Sequence, residues 1–205
     1  MVNAAVNAGK IAKTIIAEQP RFAPIIARSG LCPIGNSPRK SSNFHSLASA
    51  ILSQQLSSKA AATIIKRVEK ITGGLSPERI GRVTEAKLRS AGASGAKARA
   101  LRELAQADST VRFSRLHLIE DDEEIYRRLT PLFGIGRWTV DMFMMFQVGR
   151  LDIWPTGDLG VRRGWERVHS LRKEITPKEL EAKGEAFRPY RSHLAWYCWR
   201  ALEDE

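Results

Sequence analysis

The chain has 205 residues, 43% of them hydrophobic, with 33 Lys and Arg against 22 Asp and Glu. That length buries a core in one domain or in two small lobes, and the composition excludes disorder away from the ends. The formal charge of +11 and a pI near 10.1 favour a polyanionic partner, nucleic acid first and an anionic membrane surface second.

Helix signals follow one another along the chain. An N-terminal helix leads into SGLCPIGNSPRKSSN, residues 29–43, whose Gly, Pro and Ser content reads as a loose linker. From Phe44 the apolar positions Leu47, Ile51 and Leu52 trace one helical face. A second run continues through Ala60, Ile64, Ile65, Val68 and Ile71 until Gly73-Gly74 stops it. Between the two, SQQLSSK offers Ser57 and Ser58 as helix caps. Ser76-Pro77-Glu78 and Thr84 open two short helices, Gly92 closes the second, and Ser94 precedes KARALRELAQA. Asp121-Asp122 precede a helix carrying Ile125, Leu129 and Leu132. Thr176-Pro177-Lys178-Glu179 is a capping box with proline at the first helical position, and the last helix runs through HLAWYCWRAL. No sustained period-two alternation appears, so the fold is expected to be all-α.

Cys32 and Cys198 are the only cysteines, too few for a four-thiolate zinc or iron–sulfur site. His45, His117, His169 and His193 lack ligand spacing. No run of about 18 apolar residues spans a membrane, and the N-terminus lacks the pattern of a secretory signal. A reduced intracellular compartment fits best.

The stretch LTPLFGIGRWTVDMFMMF, residues 129–146, reads as two helices cut by a turn at Gly134-Ile135-Gly136. Backbone N–H groups at the start of a helix carry partial positive charge, and glycines ahead of them let another backbone approach. The turn is then a phosphate seat, with Arg137 and Thr139 adding a charge and a hydroxyl at its mouth. It is equally well a tight connection between core helices, with Ile135 as a buried plug.

LFGIGRWT resembles the hairpin of the helix–hairpin–helix DNA glycosylase superfamily. AILSQQLSSKAA at 50–61 looks like the minor-groove segment of that superfamily, and WPTGDLGVRR at 154–163 like its catalytic loop. FRPYRSHLAWYCW at 187–199 looks like the C-terminal helix entry of the 3-methyladenine DNA glycosylase II-like branch, which removes alkylated bases. The match runs in consistent order from about residue 44 to 202. It implies two helical lobes with DNA in the cleft between them. One spans 45–145 and ends in the hairpin; the other joins 1–44 to 146–205.

The resemblance also implies roles. Asp158 matches the catalytic acid, although an Asp before a helix is also an ordinary cap. Many relatives carry a second acid just ahead of it, where this chain has Gly157. An anion beside C1′ stabilises an oxocarbenium-like transition state, and an alkylated purine leaves as a neutral molecule without needing the general acid of ordinary glycoside hydrolysis. Asp141, Asp152 and Glu166 are assigned to solvent or salt bridges. Some relatives place a nucleophilic lysine where this chain has Trp138, so a monofunctional hydrolase is implied. Trp138, Met142 and Trp199 form the expected base pocket, where a cationic base gains cation–π attraction. Gln54, Gln55 and Leu56 are the expected wedge, with Gln55 at the intercalating position, and Ser57 beside them is expected to contact DNA. Gly134, Ile135, Gly136, Arg137, Thr139, Arg162 and Arg163 are expected to contact DNA, whereas Lys97, Arg99 and Arg102 read equally as a solvated helix face.

No cofactor is required on this reading and no iron–sulfur cluster is expected. A structural Na+ or K+ on the main-chain carbonyls of Thr130, Leu132 and Ile135 is implied by the resemblance alone. The expected partner is damaged double-stranded DNA, bound by a monomer, with no membrane. The implied activity is hydrolysis of the N-glycosidic bond of cationic purines such as 3-methyladenine and 7-methylguanine. Its alternatives are excision of neutral lesions (hypoxanthine, ethenoadenine) and a non-catalytic DNA-binding module.

Overall fold

The computed structural model describes residues 6–203, and every regular element among them is helical. In chain order the α-helices are α1 (Ala8–Glu18), α2 (Ala23–Ser29), α3 (Asn43–Ser53), α4 (Ser58–Thr72), α5 (Pro77–Gly81) and α6 (Glu85–Ser90). They continue as α7 (Gly95–Gln106), α8 (Asp108–Val111), α9 (Asp122–Leu129), α10 (Arg137–Met142), α11 (Leu159–His169), α12 (Pro177–Gly184) and α13 (Arg191–Arg200). A six-residue π-helical turn, Phe143–Val148, follows α10.

Short polar side chains start most of these helices. Ser42, Ser57, Ser76, Thr84, Ser94, Asp121 and Asp158 each accept a hydrogen bond from a backbone N–H of the first turn of α3, α4, α5, α6, α7, α9 and α11. Both bonds of the Thr176–Glu179 capping box form at α12. Pro20 breaks the expected single N-terminal helix into α1 and α2, because proline lacks the N–H that a continuous helix would use.

The helices gather into two compact units. One combines the chain up to Pro38 with Met144 onwards; the other is Arg39–Phe143. In the first, α11 packs along α13 and α13 along α2, around an aromatic core of Phe22, Trp154, Trp165 and Phe187. In the second, α7 meets α3, α5 and α6, while α4 packs on α3. Leu47, Ile51, Leu52, Leu101 and Leu104 are buried there.

The segment 29–43 links α2 to α3 as its composition suggested, but its first half is anchored rather than loose. Cys32 and Ile34 are buried. The Cys32 N–H donates to Tyr197 Oη at 3.3 Å, that hydroxyl donates to the Gly30 carbonyl, and His193 Nε2 bonds the Ile34 carbonyl at 3.1 Å. Small and apolar residues at 30–34 let the backbone lie against α13, which supplies the polar partners that solvent would otherwise provide. Burial pushes the Cys32 thiol up to about 12, so it is an inert packing group.

Candidate active site

Asp158 takes a non-helical backbone and caps α11, its Oδ1 accepting the Val161 N–H at 2.8 Å. The same oxygen accepts the indole N–H of Trp199 at 2.9 Å. One carboxylate oxygen is thus held by two donors from two helices, and the side chain is half-buried rather than sealed in packing. The cap and the functional position coincide: the helix start that orients the carboxylate also favours its negative charge.

Two glycines make this possible. A Cβ on Gly164 would lie 2.0 Å from the Cys198 carbonyl oxygen, and one on Gly160 2.8 Å from Trp199 Cδ1. Only glycine at these positions lets α11 and α13 approach closely enough for the indole to reach Asp158. The buried Cys198 thiol beside it is pushed up, first by burial and then by the charge of Asp158. Phe146, on the π-helical turn, stacks on Trp199 with ring centroids 5.8 Å apart and 30° between planes, yet remains 53% exposed.

The other nearby acids are committed elsewhere. Asp152 pairs with Arg188 and Arg191, each at 2.7 Å. Glu166 accepts from the Ile175 N–H at 2.7 Å and from Arg163 at 3.0 Å. Asp141 is buried and accepts the Tyr126 phenol, whose pKa rises through burial and then through that bond. Arg163, expected on phosphate, instead bridges Glu166 and Glu174, so its charge is matched within its own unit. Arg162 is half-buried, with Nη1 3.5 Å from the Ile175 carbonyl.

In the second unit the hairpin takes the expected turn. Gly134 has φ 81°, Ile135 is 4% exposed, and Gly136 precedes the first residue of α10. Ile135 is therefore a buried plug between the helices. Arg137 lies with its guanidinium 4.1 Å over the Tyr126 ring. Thr139 is 3% exposed, which corrects its expected place at the helix mouth. Successive helical positions turn by about 100°, so the third points inward while the second, Trp138, is 48% exposed. Met142 follows one turn later, half-buried.

The expected wedge lies between α3 and α4. Gln55, Leu56 and Ser57 are exposed, and Gln55 sits at φ 56°. Ser57 caps α4, and Gln54 turns away to donate to the Gly134 carbonyl at 2.9 Å. The folding therefore joins Asp158 to Trp199, and Gln54 to the hairpin; Trp138 and Met142 belong to the second unit. Lys97 and Arg102 are no solvated face: they cap the carbonyl ends of α3 and α5. Among the described residues, no cluster of three His, Cys, Asp or Glu side chains suits a metal ion, and no helix is long and apolar enough to cross a membrane.

A family model described as "HhH-GPD superfamily base excision DNA repair protein" matches residues 33–189. The chain belongs to that superfamily. It is 34% identical over 169 residues to DNA-3-methyladenine glycosylase 1 of Schizosaccharomyces pombe, covering 80% of this chain and 74% of that one. A crystal structure of a DNA-3-methyladenine glycosidase from Bacillus halodurans aligns with a TM-score of 0.80 at 36% identity, over 93% of this chain and 88% of that one. The S. pombe 3-methyladenine DNA glycosylase in complex with abasic DNA aligns with a TM-score of 0.81 at 30% identity, over 93% and 95%.

Within this HhH-GPD chain Phe146, Gly160 and Gly164 carry roles that the sequence did not single out. The glycines lie four residues apart on α11, a spacing that marks close helix contact, whereas Phe146 keeps helical spacing with Met142 and Phe143 and carries no sequence signal of its exposure.

Proposed function

We propose that the chain is a monofunctional DNA glycosylase that hydrolyses the N-glycosidic bond of cationic N-alkylpurines, such as 3-methyladenine and 7-methylguanine, in damaged duplex DNA. The relatives that carry this activity in their names support it, and one observation carries it: the Asp158 carboxylate clamped by the Val161 N–H and the Trp199 indole. As the C1′–N bond breaks, its electron pair leaves with the purine, which departs neutral. The positive charge moves to the sugar, where a fixed anion stabilises it without reorganising. Water then adds to C1′ and loses a proton, leaving an abasic site.

Trp138 stands where an amine nucleophile would be needed for a Schiff base, so the reaction stops at hydrolysis. A neutral lesion would call for a general acid, and Asp141, Asp152 and Glu166 are all held in internal bonds. This disfavours hypoxanthine or ethenoadenine as the main substrate.

The Thr130, Leu132 and Ile135 carbonyls would hold a monovalent cation at the hairpin, shielding a DNA phosphate. The Leu132 carbonyl accepts the Ile135 N–H at 3.1 Å and keeps a second lone pair that a cation could use. The protein acts on DNA as a monomer.

Chromatography of bases liberated from methylated DNA tests the proposal. The unmutated protein releases 3-methyladenine and 7-methylguanine; Asp158→Asn abolishes release and retains DNA binding. No release from the unmutated protein would leave a non-catalytic binding module in its place.

A further inference from the structure

α7 opens with a breach of a helix rule. Lys97 occupies the third helical position after the Ser94 cap, where the aligned peptide dipoles disfavour a cation. Its ammonium turns to the far end of α3 and donates to the carbonyls of Leu52 and Gln54, both at 2.8 Å. Unpaired carbonyls at a helix C-terminus accept a cation well. Partial burial lowers the Lys97 pKa, an ordinary cost of taking an ammonium from water.

The next link is Gln54, whose amide donates to the Gly134 carbonyl of the hairpin at 2.9 Å. The hairpin itself sits on the same helix: a Cβ on Gly134 would lie 2.9 Å from the Ala100 side chain. The Arg99 guanidinium covers the Phe133 ring at 4.1 Å. One turn of α7 thus carries both the 54–57 loop and the hairpin. Between these anchors Gln55 holds a left-handed backbone, φ 56°, which persists in a residue with a Cβ only where its surroundings over-determine it.

We propose that Lys97 and Gln54 are positioning residues for base extrusion, locking the 54–57 loop and the hairpin into one rigid DNA-engaging piece borne by α7. This rests on the glycosylase reading above, since it takes the loop to fill the gap left by the extruded base. Extrusion opposes stacking and pairing, so a loop that fills the gap must be tied to something that grips the backbone. The chain Lys97–Gln54–Gly134 is that tie.

Lys97→Met keeps the aliphatic stem and removes the donors; Gln54→Leu cuts only the link to the hairpin. Hydrogen–deuterium exchange of the free protein reads the tie directly. Lys97→Met raises exchange at 54–57 and at 132–136 together, by about tenfold; an unchanged rate at 132–136 overturns the coupling. Base release reads its use. From a duplex with 7-methylguanine opposite cytosine, either variant releases base about tenfold more slowly. Opposite an abasic analogue, where no pair is broken, the loss shrinks to less than about threefold. Lys97→Arg, which keeps two donors, restores release. Equal losses on both duplexes overturn the role in extrusion. An unmutated protein that releases no base from either duplex overturns the glycosylase reading and, with it, this role, whatever the exchange data give.

Discussion

Replacing Trp199 with Phe isolates the contact on which the proposed chemistry turns. The substitution keeps an aromatic ring for Phe146 to stack on and removes the N–H that reaches Asp158 Oδ1 at 2.9 Å. A hydrogen bond to a charged acceptor contributes about 1.5–3 kcal/mol. Both residues are half-buried, and the Val161 N–H still holds the same oxygen at 2.8 Å, so the lower end applies. About 1.5 kcal/mol of lost transition-state stabilisation slows the chemical step roughly tenfold. Single-turnover release of 7-methylguanine from a duplex, with enzyme in excess, measures that step apart from binding and product release. Thermal unfolding of the same variant shows whether the fold is intact. A release rate within about twofold of the unmutated protein, from a variant that still folds, would refute the idea that the indole aims the carboxylate.

Two further outcomes are expected. Gly164→Ala places a methyl against a backbone carbonyl that has no flexible end to yield, so overpacking costs about 1–3 kcal/mol. The melting temperature then falls by several degrees and base release falls with it, because α13 carries Trp199; an unchanged melt would show that α11 and α13 have slack. Burial holds the pKa of His193 below its usual 6.5, so the ring is neutral when folded, whereas the unfolded chain takes up a proton as pH drops through about 6.5. Stability is full above that pH and declines below it. Melts at about pH 7.5 and about pH 5.5 should differ less in His193→Gln than in the unmutated protein, and equal differences would remove His193 from the account.

Much of the helical plan was legible because it is written locally. Ser57, Ser76, Thr84, Ser94, Asp121 and Thr176 cap the helices they were expected to open, since a cap needs only one short side chain and the next few N–H groups. Asp158 was legible both as a cap and as a family match. Residues 30–34 were misread as loose because their order comes from Tyr197 and His193, more than a hundred residues away. Thr139 was misplaced because a motif gives residue order and not the rotation of a side chain about the helix. Lys97 looked like a solvated charge for a similar reason: its carbonyl partners lie at the end of another helix, and no spacing within α7 announces them.

The unit that holds Asp158 is stitched from the two ends of the chain, while 39–143 is one uninterrupted stretch. During synthesis the middle portion is complete and able to fold while the earlier helices α1 and α2 still wait for α11 and α13. The carboxylate gains its indole partner only once α13 has left the ribosome. A product cut short before α13 therefore carries Asp158 on its helix cap without the indole N–H that fixes it.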